Sequence, residues 1–229
     1  MQPNSYLKLN VLVVALIFAG CTASFEPRLS SYDLTKNRLP TVKEVQRGVE
    51  VSVEEFVSAN KSRRAFDADV APHGVLALLV RVENKGTENY KVQRSQVRAF
   101  FDGQPLPQIY GHEAATQGAT RDYVWNALVN TVAMGPLAMY FGVAGMAATA
   151  NQTKSINRKI EQHFESLEFN DTVVKPDETV AGFVFFNLPE RLKRVENLTM
   201  EVTVEIDSPE EPGGRRLNFN LPLPTLEVS

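Results

Sequence analysis

The chain has 229 residues, 43% hydrophobic and 22% charged, with a formal net charge of −3. That is the composition of a globular protein with room for one large or two small domains. The acid excess and the isolated Arg63-Arg64 and Arg215-Arg216 pairs exclude a nucleic-acid footprint, which needs clustered lysine and arginine.

Residues 1–20 read as a helical signal peptide. Lys8 gives a weakly positive start, and Val11 to Phe18 is an unbroken apolar run, too short to span a bilayer and right for a signal core. Ala19 and Gly20 follow, then Cys21, the sole cysteine. Phe18-Ala19-Gly20-Cys21 resembles the bacterial lipobox, with phenylalanine where leucine is usual. The resemblance implies cleavage between Gly20 and Cys21, diacylglyceryl on the Cys21 sulfur and an acyl chain on its new amine. Two or more chains make a stable anchor where one binds only marginally. With Cys21 lipidated no thiol remains for a disulfide, so the fold depends on its core. Thr22 stands where an aspartate retains many lipoproteins of enteric-type bacteria in the inner membrane. The expectation is therefore an outer-membrane lipoprotein facing the periplasm, with membrane lipid as its first partner.

Residues 21–47 are polar, contain Pro27 and Pro40, and show no sustained period, which predicts a flexible tether. The folded domain is expected over 48–229. Val49, Val51 and Val53 alternate with polar residues as in a half-buried strand. Val75 to Glu83 is apolar on both faces, as in a strand covered on both sides. Asn84 to Thr87 is a turn. A strand from Tyr90 to Phe101 ends at Asp102-Gly103, a hairpin signal. Pro105 and Pro107 limit Gln104 to Ile109 to an edge. Later, Val180 to Phe186 is a second two-sided run. Leu198, Met200, Val202, Val204 and Ile206 alternate strictly with polar residues, and Leu217, Phe219 and Leu221 close the series. With no helix alternating among these strands, the expected class is mainly β, an antiparallel sandwich. Pro176, Glu178, Gly182, Phe183 and Phe186, in a turn that enters a G-F-x-x-F strand, resemble the immunoglobulin-like domains of some bacterial lipoproteins. That resemblance implies an architecture and no activity.

Residues 111–170 interrupt the sandwich as a helical hairpin insert. Ile156, Ile160, Phe164 and Leu167 recur at helical spacing from about Thr153 to Glu168, with His163 on the exposed side. Val124, Leu128 and Val132 share a face, with Trp125 and Val129 beside it, which predicts a helix from about Ala114 to Met134. Between Asp122 and Lys154 no residue is charged. Val132 to Ala148 holds only apolar residues, glycine and proline, and Gly135, Gly142 and Gly145 give a small-residue surface suited to close helix approach. Three readings stay open. The hairpin folds over one end of the sandwich; or it is a surface for self-association or a protein partner, with Trp125, Leu128, Val132, Gly135, Met139, Gly142 and Gly145 as the candidate residues; or it enters the bilayer.

Catalytic signatures are missing. His73, His112 and His163 are far apart, and His112-Glu113 lacks a second zinc ligand at Thr116. Asp67-Ala68-Asp69 lacks the rest of a calcium loop. Glu54-Glu55 and Glu210-Glu211 are chain neighbours that a strand would turn to opposite sides. The expectation is a non-enzymatic protein with no metal and no cofactor beyond its covalent lipid. The alternative is an enzyme or small-ligand binder with a site where sandwich and insert meet.

Overall fold

The computed structural model describes residues 25–29, 34–35, 40–120, 154–189, 192, 194–207 and 215–228. Strand β1 (Val42–Gln46) and β2 (Val49–Glu55) form a hairpin over Arg47-Gly48, both at positive φ. Helix α1 (Ala59–Phe66) ends where Asp67 turns left-handed at φ 53°. Strands β3 (Val75–Asn84) and β4 (Tyr90–Phe101) follow. Asp102 and Gly103, at φ 48° and 75°, make the two-residue hairpin turn into β5 (Gln104–Pro105). After β6 (Gln108–Ile109) comes α2, an α turn over Gly111–Ala114 that continues as a π-helical turn over Ala115–Thr120. The described part of α3 runs over 154–167. The remaining strands are β7 (Thr172–Val174), β8 (Thr179–Asn187), β9 (Arg194–Val195), β10 (Leu198–Ile206), β11 (Arg216–Pro222) and β12 (Leu226–Glu227).

The protein is mainly β. One sheet has the order β1-β2-β3-β8-β6; a second has the order β11-β10-β4-β5, with β7 also on β4; β12 and β9 pair separately. All these pairings are antiparallel. The two large sheets face each other. Between them lie Val51, Val53, Leu78, Val80, Val97, Val184, Met200, Val202 and Phe219.

The first sheet is buried on its other face too. Strand alternation sends Leu76, Leu78, Val80 and Val82 of β3 into the sandwich and Val75, Ala77 and Leu79 the opposite way. There they meet a second core roofed by α1, α2 and α3. Its centre is aromatic: Phe66 stacks on Phe164 at 4.7 Å between centroids, Phe66 meets Phe183 edge-on at 5.0 Å, and Phe56 meets Phe183 at 4.8 Å. The apolar runs of β3 and β8 thus reflect two cores sharing one sheet.

Three expectations need correction. The sheet starts at Val42 rather than 48, because β1 pairs with β2 over its whole length. Within 21–47, Leu29 and Leu34 are also buried in the helical core, so the lead-in is docked at these points instead of free. A helix does stand among the early strands. The eight residues of α1 bury only Ser62, Ala65 and Phe66, too few for the periodicity to stand out.

One close approach requires glycine. A Cβ on Gly182 would lie 2.4 Å from the Cα of Phe169. The chain returning from α3 crosses here, with Glu168 bridging Phe183 and the Phe169 amide donating to the Phe183 carbonyl at 2.8 Å.

Candidate functional site at the base of the insert

The pairing of β10 with β4 is interrupted once. Val202 faces Val97 and Val204 faces Val92, so two steps on β10 are matched by five on β4. The extra residues fall in the polar run Gln93 to Gln96. Such a bulge bends a strand and re-aims its side chains. The one re-aimed here is Arg94.

Arg94 binds both ends of the insert. Its Nη2 donates to the Ile109 carbonyl at 2.6 Å, on the outgoing side. Its guanidinium lies over the Tyr110 ring, 4.2 Å from the centroid. Its Nε is 2.9 Å from Glu168 Oε1 on the returning side, and the two side chains are 15% and 12% exposed. Glu168 Oε2 accepts from the Gly111 amide at 3.1 Å, closing the ring. Asp171 Oδ1 accepts from the Arg94 amide at 2.7 Å, and the Gln108 side chain donates to the Arg94 and Val97 carbonyls. Those bonds occupy the β4 edge between β5 and β7. A mostly desolvated Arg–Glu pair, with Arg94 Nη2 and Glu168 Oε2 each bonded to backbone, is geometrically demanding, and it ties the two strand exits to each other.

Above this clamp α2 is held down by small residues. Gly111 abuts the backbone at Phe164 and Glu165, and Gly118 lies against Val70. Gln117 donates to the His73 and Gly74 carbonyls, and Glu113 accepts from the Tyr110 amide at 2.7 Å. Tyr110 remains 56% exposed and stacks on His112 at 5.9 Å.

His163 is not the solvated residue its place on the helix predicts. It is half-buried, with Nε2 2.7 Å from the Ala65 carbonyl and the Phe25 ring edge-on at 5.5 Å. Burial lowers its pKa; the bond to Ala65 and the nearby Asp67 oppose that shift without reversing it. The lead-in peptide packs against His163. Its Glu26 amide donates to Asp67 Oδ2 at 2.9 Å and its Arg28 amide to the Arg64 carbonyl at 3.1 Å.

Gly20, Cys21, Trp125, Leu128, Val132, Gly135, Met139, Gly142 and Gly145 lie outside the described residues. What the structure brings together instead is Arg94, Tyr110, Gly111, Glu168 and Asp171. The only sequence signal for them was the polar run that breaks the alternation of β4. Glu54 and Glu55, expected on opposite sides, are both reached by Lys61 Nζ, at 3.5 and 2.8 Å. Among the described residues no group of three metal-ligating side chains occurs, and no helix is long and apolar enough to cross a membrane. An open groove of about 520 Å³ lies along Phe101, Leu106, Pro107 and Leu188. It sits beside the β4–β5 turn, and no histidine lines it.

No protein-family model matches the chain, and no curated protein matches it. The crystal structure of ycdA from Bacillus subtilis subsp. subtilis str. 168, named as a lipoprotein, is similar over 81% of this chain at a TM-score of 0.36 and 11% identity. The match spans 39% of that chain, and at this similarity neither family nor function transfers.

Proposed function

We propose that the chain is a lipid-anchored protein of the bacterial envelope with a non-enzymatic binding or scaffolding role. Cys21 carries the diacylglyceryl and N-acyl lipid, the outer membrane facing the periplasm is its site, and the insert presents the interaction surface. The observation that carries this reading is the clamp. Residues 123–153 contain no charge, and the described chain on either side of them in sequence is joined by Arg94 and Glu168 at Ile109 and Gly111. An uncharged, largely apolar stretch of that length is of the kind that protein or lipid covers.

The anchor is tested by feeding cells radiolabelled palmitate. Label should travel with the protein and disappear in Cys21→Ser, which should also leave the membrane fraction. Unlabelled wild-type protein overturns the anchor. The interaction surface is tested by deleting 123–150. A truncated protein that stays folded and loses its oligomer or partner supports the surface; one that unfolds shows the segment to be core. The glycine spacing at 135, 142 and 145 favours a second reading, in which the segment enters the bilayer or self-associates there. Vesicle binding by a Cys21→Ser protein, lost on the same deletion, would support it.

A further inference from the structure

The structure describes the chain from Phe25, four residues beyond the proposed lipidation site, and Phe25 is already docked. Its ring meets His163 on α3. Glu26 and Arg28 donate backbone bonds to Asp67 and Arg64 at the end of α1, and Leu29 is buried in the helical core. At roughly 3.6 Å per extended residue, four residues reach about 14 Å at most. The outer face of the second sheet lies two layers from the helical surface, about 20 Å at some 10 Å per layer. A lipid on Cys21 therefore cannot hold that sheet face to the membrane. It can hold the helical layer there.

The charge on that layer agrees. The outward face of α1 carries Arg63 and Arg64, the outward face of α3 carries Arg158 and Lys159, and Arg28 stands exposed between them on the lead-in. Among the described residues none of these five is ion-paired, and they occur in a chain of net charge −3. Glu26, Asp67, Glu161 and Glu165 share the layer and temper it. Basic residues held near an anionic surface are attracted to it.

We propose that the helical layer, α1 with α3 and the docked lead-in, is the membrane-facing surface of the anchored protein. Its arginines and Lys159 rest on anionic lipid headgroups. This orientation rests on the lipid anchor proposed above.

The test uses full-length lipidated protein in vesicles of phosphatidylethanolamine and phosphatidylglycerol that carry nitroxide-labelled headgroups. Lipidation turns the Cys21 sulfur into a thioether, so a single introduced cysteine is the only reactive thiol. A fluorophore at Arg158→Cys, on the helical layer, is compared with one at Arg98→Cys, on the far sheet. Arg98 is exposed, and its contacts are a surface ion pair with Glu201 and an approach to the Phe100 ring, so its loss is tolerated. Headgroup quenching should be several-fold stronger at position 158, and the difference should shrink when phosphatidylcholine replaces phosphatidylglycerol. Equal quenching at the two positions, or a difference indifferent to phosphatidylglycerol, overturns the proposal. Palmitate label and flotation with vesicles are read on the same preparations. Their loss overturns the anchor itself, whereas labelled, floating protein with equal quenching overturns the orientation alone.

Discussion

Arg94 shows how much one side chain can organise. Its two polar side-chain contacts go to the two chain segments that flank the insert, and a planar guanidinium serves both while stacking on Tyr110. Removing one member of a mostly desolvated pair leaves the other charge stranded, at a cost of about 3 kcal/mol. Arg94→Met is expected to lower the unfolding free energy by that order, and Arg94→Lys to recover less than half of it. Glu168→Gln should cost less than Arg94→Met, because its side-chain carbonyl can still accept from Gly111. Urea denaturation with the double variant measures the coupling; a coupling near zero would show the pair to be incidental. His163 makes a second prediction at this scale. Its folded pKa lies below the ordinary value of about 6.5, so the unfolded chain binds the proton more readily. Its contribution is neutral above that value, and stability falls as pH drops through it toward the folded pKa. Thermal melts between pH 7.5 and 5 should fall less steeply in His163→Gln, which can still donate to Ala65. Parallel slopes would remove His163 from the account.

The elements separate what periodicity can reveal from what it cannot. Long alternating strands such as β10 were legible, because each buried face repeats every second residue over nine positions. The two-sided burial of β3 and β8 and the helix over 154–167 were legible for the same reason. The helix α1 was not, being short and anchored by three residues. Nor was β1, whose side chains are nowhere fully buried and which is defined by its pairing. The clamp was the least legible feature, since it depends on where a bulge points one arginine and on a crossing allowed by Gly182. Among these elements β1 also has a protective part. Glu44 Oε2 accepts from the Asn220 amide at 2.9 Å, and Gln46 Nε2 donates to the Asn218 carbonyl at 2.8 Å. Side chains of one sheet thereby occupy edge groups of the other, which would otherwise be open to a further strand. Glu44→Ala with Gln46→Ala should leave the fold intact and raise the rate of oligomer formation on prolonged incubation, read by light scattering. An unchanged rate would mean that β11 is guarded by other means.

At the scale of the molecule, three layers share a middle one. Leu76, Leu78, Val80 and Val82 of β3 belong to the sandwich core, and Val75, Ala77 and Leu79 to the aromatic core beneath the helices. The N-terminal lead-in, the insert base and the helical roof all gather on the same side of that sheet. Taking the middle sheet apart exposes both cores at once, which couples the stability of each to the other. The consequence is a single thermodynamic unit without internal seams. Calorimetry should record one endotherm whose van't Hoff and calorimetric enthalpies agree, and two resolved peaks would contradict it. Among the described elements, opening one core to a protease opens the other too, so cleavage within them would follow the rare event of complete unfolding.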